Sequence, residues 1–365
     1  MRTYLRQSRR SRLDGNSRGR VTRQPEPSVQ SEVRLVALIP AHDEEQQIEE
    51  TLASLRAQSL PVNRVIVIAD NCTDRTAEIA AAAGAQVCQT IGNRAKKAGA
   101  LNQAMRLIAD DSQSWDYVLQ MDADTMLHPE FVASAIAELE ADGQLAGVCA
   151  RFLTKPCRGF LGWLQRMEYQ RLDRHTAHRR HKIHCLSGTA TLLRRQVLCR
   201  RPWDERSLVE DYALTLDLLE QGWRVKRAEE SIAWTETKPT LAEFWRQRLR
   251  WAQGTLEELV RRGWSRHTRK NAFAHVWAYL VVTLRWLWLS LIVSSAIFTG
   301  FAFAWVWLLP LPVILAERMR SVWPLGWKAR LLAASWIADE IYQLMWEAYM
   351  LHALWASWRK RAVAW

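Results

Sequence analysis

The sequence predicts an α/β fold: a doubly wound, mostly parallel sheet, followed by a carboxyl-terminal membrane helical hairpin and interfacial helices. Three observations carry that expectation. Short apolar runs alternate with stretches of helical periodicity about every thirty residues through the first half of the chain. Two of those runs end on carboxylates, at Asp70 and at Asp122, as strands do at the ligand-binding rim of an open α/β sheet. Further on, the stretch 273–316 carries one charge, Arg285, over a length that exceeds a single bilayer crossing.

The elements follow in order. Residues 1–31 are rich in Arg, Ser, Gln and Pro, which predicts a disordered basic tail without the apolar core of a signal peptide. Arg34–Ile39 is a strand stopped by Pro40. Ile48, Leu52 and Leu55 then recur at helical spacing. Val65–Ala69 is a second strand, and the helix after it is capped by Thr73 or Asp74 and ended by Gly84. Ala85–Thr90 is a third strand, Lys96–Ile108 a helix, and Tyr117–Met121 a fourth strand. A strand near Ala146–Phe152, a basic helical stretch over 161–182 and a small-residue turn before an apolar run come next. Glu210 and Asp211 open a helix with Leu214, Leu218 and Leu219 on one face. Gln247, Arg250 and Trp251 share about one turn of another helix.

Composition narrows the partners. A net charge of +12 and a pI near 9.7 imply an anionic partner: nucleic acid, anionic lipid or a phosphorylated substrate. Nucleic acid is not expected, because the basic tail interleaves no aromatic residue beyond Tyr4 for base stacking. The six cysteines show no CxxC spacing, which argues against a disulfide framework. Cys185 with His181 and His184 matches no standard zinc pattern. No GxGxxG follows the first strand, which argues against a Rossmann dinucleotide site.

The chemistry centres on YVLQMDADT, Tyr117–Thr125. Asp122 and Asp124 are two apart, so along an extended chain they share a face. Such carboxylates repel unless a cation lies between them, and Mg²⁺ or Mn²⁺ would leave positions for phosphate oxygens. A lone DxD is weak evidence by itself and reads first as a solvated acidic turn. Likewise Glu210 and Asp211 suit the helix dipole at an amino end whether or not they react. Gly188, between Ser187 and Thr189, allows close approach to backbone. An arginine beside a tryptophan, as at Arg250–Trp251, suits a diphosphate and a sugar ring.

Basic residues flank the long apolar run on both sides, Arg261 to Lys270 before it and Arg318 to Arg330 after it. Both ends are then cytosolic, which calls for two crossings, 274–296 and 300–316 within a hairpin over 272–317. One over-long tilted helix is the alternative. Residues 328–365 read as amphipathic helices in the interface, with Trp336, Trp346, Trp355 and Trp358 at helical spacing.

Taken together and in order, PAHDEE, ADNCTD, KKAGALN, MDADT, LSGTA, VEDYALTL and QRLRW resemble the family 2 inverting glycosyltransferases of GT-A fold. The resemblance lies on the branch that includes cellulose, chitin, hyaluronan and poly-N-acetylglucosamine synthases, and it covers about residues 33–256. It implies a nucleotide-sugar-binding half over 32–150 and an acceptor-binding half over 151–265. Pro40, Ala41 and Glu44 would line the nucleoside pocket, Asp70 would contact the base, and Lys97 would lie near the phosphates. Asp122 would touch the donor sugar and the metal, and Asp124 would bind Mg²⁺ or Mn²⁺ directly. Ser187, Gly188 and Thr189 would wall the acceptor site. Asp211 would be the general base with Glu210 beside it, and Gln247, Arg250 and Trp251 would close over diphosphate and acceptor.

The partners so implied are a nucleoside-diphosphate sugar (UDP-linked), a glycan or lipid-linked acceptor, and membrane lipids. The expected location is the cell's inner membrane with the catalytic domain in the cytosol. A processive polysaccharide synthase and a non-catalytic nucleotide-sugar-binding protein are the alternatives. Two features depart from the family pattern. Asp43 stands where the family often has Asn, and the membrane part is small for a polymer exporter.

Overall fold

The computed structural model describes residues 33–109, 114–177, 183, 185–200, 203–299, 309 and 311–359. The basic tail lies outside them. One sheet of eight strands runs in the spatial order β3-β2-β1-β4-β7-β6-β8-β5. Its strands are β1 Leu35–Ala41, β2 Arg64–Ala69, β3 Gln86–Gln89, β4 Tyr117–Met121, β5 Met126–Leu127, β6 Leu145–Thr154, β7 Ala190–Arg194 and β8 Arg224–Thr235. β3, β2, β1 and β4 are parallel, as right-handed βαβ units require. Their crossovers are α1 Ile48–Arg56, α2 Thr76–Ala82 and α3 Lys96–Ala109. β1 and β4 are buried almost end to end, which is why they read as unbroken apolar runs.

The helix after β2 stops as expected at Gly84, whose φ is +81°. Gly84 N–H bonds to Ala81 O and Ala85 N–H to Ala80 O, the paired closure that a left-handed residue allows. Asp74 lies two residues before this helix, and its carboxylate accepts the Thr76 N–H at 2.9 Å.

β7 breaks the parallel pattern. It runs antiparallel to β4, with Met121 opposite Ala190, and antiparallel to β6 as well. Its amino end therefore meets the carboxyl end of β4, and Asp122 N–H bonds to Thr189 O at 3.0 Å. Two of the longer elements are absent from the sequence reading. The helix α4, Phe131–Ala141, buries Phe131, Val132, Ala135, Ile136 and Leu139. The strand β8 hides behind its charges: Arg224, Lys226 and Arg227 pair with Asp142, Glu138 and Asp173.

The second half adds α5 Gly159–Ala177, α6 Arg195–Arg200, α7 Glu210–Glu220 and α8 Leu241–Arg262. Beyond them lie α9 Arg269–Thr299, α10 Leu311–Ser321, α11 Trp327–Ala334 and α12 Ile337–Trp358. Among the described residues one helix is long and apolar enough to cross a membrane, with mean hydropathy 1.8 over its best window and 6% of that window buried. It coincides with the first expected crossing. Most of the second expected crossing lies outside the described residues. α10 covers its last part and continues through Glu317, Arg318 and Arg320.

Arg285 neither snorkels nor stands alone. It bonds to Glu340 at 2.5 Å and to Glu347 at 2.9 Å, both on α12. Arg318 of α10 shares Glu340, and Arg171 of α5 takes Asp339 with both guanidinium arms. α12 turns one face to α8, where Trp245 meets Tyr349 edge-on at 6.3 Å. Its other face leaves Ile337, Leu351 and Trp358 exposed.

Candidate active site

Parallel strands deliver their carboxyl ends to one rim. β1 ends in Pro40 and Ala41, β2 runs into Asp70, and β4 runs into Asp122. Asp70 is 8% exposed, and its carboxylate accepts from Thr90 at 2.8 Å, Asn93 at 2.8 Å and Asn71 at 3.0 Å. The same Asn93 amide donates to Lys96 O at 2.8 Å, which ties Asp70 to the amino end of α3. Gly99 makes room for this: a Cβ there would sit 2.0 Å from Asn93 Oδ1. Asn93 is a residue that the sequence reading missed, although its distance of two residues from Ala95 and three from Lys96 is the signature of a capping turn.

Lys97 is the hub. Its ammonium lies 2.5 Å from Asp122 Oδ1, 3.2 Å from Glu210 Oε1 and 3.2 Å from Gly188 O. Gly188 N–H in turn donates to Asp211 Oδ2 at 2.8 Å. A Cβ on Gly188 would fall 2.6 Å from the Lys97 nitrogen and 3.2 Å from Asp211 Oδ2, so a side chain there would require the ammonium to shift from its place in the cluster. Ser187 and Thr189 bond to each other at 2.9 Å and hold that turn. Asp122, Gly188, Glu210 and Asp211, more than twenty residues apart in three groups, thus meet around one ammonium.

Charge in this cluster is unevenly shared. Burial opposes the charge on Lys97, but Asp122, Glu210 and Asp211 outweigh it and raise the ammonium further above its usual value. Burial also works against Glu210, where Lys97 and Arg250 prevail and hold the carboxyl below its usual value. Asp211 goes the other way. Burial and the neighbouring Glu210 push it up to about 6. Two adjacent carboxyls at one helix end are therefore driven apart, one kept anionic and one made a better base.

Asp124 sits beside the cluster. Its Oδ1 accepts from Thr125 and Thr235, both at 3.2 Å, and Lys238 approaches Oδ2 to 3.8 Å. Thr51 of α1 donates to Ala123 O at 2.7 Å, which anchors the turn between the two aspartates. Glu44 faces this group. Burial, with Asp124 beside it, pushes its carboxyl up to about 8. That surplus of oxygen donors, with Lys238 the cation opposing it at Glu44, is the composition a hard divalent ion takes. Asp122 and Asp124 are the residues that fit it.

Asp43, the departure from the family pattern, spends its charge locally. Its carboxylate accepts Thr73 N–H at 2.7 Å and Asp74 N–H at 3.3 Å, and the Thr73 backbone bond leads in holding its carboxyl below the usual value. Asp43, Cys72 and Asp74 also bring one potential ligand atom each within 4.8 Å of one another. Their carboxylates already accept from the backbone before α1 and at the start of α2, at Glu45, Thr73 and Thr76.

The Gln247–Trp251 segment divides between two directions. Arg250 donates to Leu208 O at 3.2 Å and acts electrostatically on Glu210 and Lys96. Gln247 and Trp251 are joined instead by Arg248, which bonds to Gln247 Oε1 at 2.7 Å and lies 4.4 Å from the Trp251 ring centre. The arginine lying against the Trp251 ring is Arg248. One turn of helix turns neighbours at i and i+1 to different faces. Trp251 is half-buried and packs on Val209, Tyr212 and Leu216 at the start of α7.

The rim, its carboxylates and the antiparallel β7 define a nucleotide-sugar-transferase type of α/β fold. A solved mannosyltransferase from Pyrobaculum calidifontis, PcManGT, shares it with a TM-score of 0.58, at 18% identity over 90% of this chain and 88% of that one. Residues 33–254 match the model of glycosyltransferase like family 2, and the chain belongs to that family. It is a glycosyltransferase. Poly-beta-1,6-N-acetyl-D-glucosamine synthase of Staphylococcus aureus is 26% identical over 280 residues, which is 74% of this chain and 67% of that protein. The Staphylococcus epidermidis protein of the same name is 26% identical over 277 residues, 71% of this chain and 65% of its own.

Proposed function

We propose that this chain is a membrane-anchored inverting glycosyltransferase that moves a sugar from a UDP-linked donor to a hydroxyl of a glycan or lipid-linked acceptor. One observation carries the reading: Lys97 joins Asp122 to Glu210 while the adjacent Gly188 N–H holds Asp211. Donor-binding and base-bearing groups therefore share one small volume. The names of the staphylococcal relatives make N-acetylglucosamine the first sugar to test, and they favour chain extension as the second reading.

Asp211, with a pKa near 6, is ionised at neutral pH and takes the proton of the acceptor hydroxyl as that oxygen bonds to the sugar's C1. The C1–oxygen bond to the diphosphate breaks on the opposite face, so an α-linked donor yields a β-linked product. Glu210, held anionic, keeps Lys97 charged near the departing phosphates. Arg250 adds a second cation. Pro40, Ala41, Glu44 and Asp70 are assigned to the nucleoside, and Ser187, Gly188, Thr189 and Trp251 to the acceptor. Asp122 and Asp124 would hold Mg²⁺ or Mn²⁺; the mannosyltransferase of this fold was solved with GDP-Man and Mn²⁺. A bound divalent ion supplies charge neutralisation on the leaving diphosphate.

The surface of α9, the belt of tryptophans on α11 and α12 and the basic flanks fit attachment to the inner membrane from the cytosolic side. A radiolabelled screen of UDP-GlcNAc, UDP-Glc, UDP-GlcA and GDP-Man, with Mn²⁺ and product sizing, tests the activity. Asp211→Asn is expected to abolish transfer while nucleotide affinity stays within about threefold. Turnover of that variant at the wild-type rate would remove Asp211 as the base.

A further inference from the structure

Arg248 has no part in the chemistry above, yet it is 2% exposed and engaged on both guanidinium arms and across its face. One arm donates to Gln247 Oε1 at 2.7 Å, the other to Glu168 Oε2 on α5 at 2.6 Å. Its guanidinium carbon lies 4.4 Å from the Trp251 ring centre, 4.8 Å from Phe244 and 5.6 Å from Tyr169. Glu168 also interacts with the Tyr342 phenol of α12, and Tyr342 with Tyr349.

Burying a guanidinium is costly, and an apolar residue would pack α8 against α5 at least as well. What an apolar residue would not do is grip a carboxamide and an indole at once. A planar fork does both, hydrogen-bonding in its plane and stacking across its face. We propose that Arg248 is a positioning residue that sets the orientation of Gln247 and Trp251 over the cleft, with Glu168 and α12 bracing it. This rests on the proposal that Gln247 and Trp251 close over diphosphate and acceptor.

The test uses the full chain in detergent, labelled with 5-fluorotryptophan. The ¹⁹F signal of Trp251, one of 20 tryptophans, is assigned by its loss in Trp251→Phe. Arg248→Gln should move the Trp251 signal and leave most others in place. With UDP-GlcNAc and a β-1,6-linked N-acetylglucosamine trimer, it should raise the trimer KM about tenfold and leave donor KM within about twofold. Arg248→Lys should recover part of the kinetics, keeping charge without the fork. Glu168→Gln should fall between wild type and Arg248→Gln. An unmoved Trp251 signal in Arg248→Gln overturns the inference. So does a change spread over all the tryptophans with both KM values altered alike, since that is loss of packing. If wild-type protein transfers from no donor, the proposed function fails, and the Trp251 signal still decides the role of Arg248.

Discussion

Asp211 and Glu210 are adjacent in the chain and opposite in electrostatics. The pH dependence of transfer follows from the difference. With Asp211 as the proposed base, its protonation below about pH 6 would leave it unable to accept the acceptor's proton, so kcat should rise through that region and level off near neutrality. A kcat profile flat from pH 5 to 8 would contradict it; the midpoint belongs to the coupled pair with Glu210 rather than to one group. The raised carboxyl also binds its proton more tightly folded than unfolded. Its contribution to stability is therefore present below the unfolded value near 3.8 and is lost as pH climbs through 6. Gly188 makes a sharper prediction. Gly188→Ala should cut kcat by more than about tenfold, because the new methyl pushes the Lys97 ammonium from its place between Asp122 and Glu210. Steady-state kinetics and a thermal melt would separate that local loss from misfolding. The acids, Gly188 and the Gln247–Trp251 segment were legible in the sequence because each is a short-range pattern. Arg248, Asn93 and Lys238 were not: each also has a partner far along the chain, Glu168, Asp70 and Asp124 in turn, which no local pattern announces.

At the level of elements, the parallel half was readable because buried strands advertise themselves as apolar runs. β8 was not, since its charged residues point at partners on other elements instead of into water. β7 was legible only as an apolar run after a small-residue turn, and its antiparallel direction was not, because direction depends on the neighbour. That direction matters: it is what carries Gly188 to Asp122. A second close approach holds α8 on the segment before α7. A Cβ on Gly254 would lie 2.9 Å from Val209 Cγ1 and 3.0 Å from Leu208 Cβ. Gly254→Ala should therefore push α8 away from the start of α7, and lower kcat several-fold with a loss of about 1–2 kcal/mol in stability. Urea unfolding beside kinetics would check it; wild-type values in both would mean the contact is slack. Gly84→Ala, at φ +81° with open space around it, should cost about 1 kcal/mol and leave kcat alone.

Across the whole molecule, the catalytic sheet and the apolar helices meet at a balanced charge network. Arg171, Arg285 and Arg318 face Asp339, Glu340 and Glu347, three against three, drawn from α5, α9, α10 and α12. The long apolar run and its single charge were plain in the sequence, but the partners of that charge lay more than fifty residues away on a helix that reads as interfacial. Arg285→Leu strands Glu347, whose side chain is 4% exposed, with Trp286 and Gln343 as its remaining donors. Its cost should be about 2 kcal/mol, below the 3–5 of a fully buried pair because Arg285 itself is partly exposed. A drop of several degrees in melting temperature in detergent is the expected readout, and an unchanged melt would mean the network is decorative. The same network bears on how the enzyme is handled. Trimming the polypeptide after Arg262 to ease purification would leave Arg171 facing no aspartate and Glu168 no phenol, and would bare the flank of α8 that Tyr349 covers. Such a fragment would report on a loosened Gln247–Trp251 roof, and its silence in an assay would say nothing about the intact enzyme.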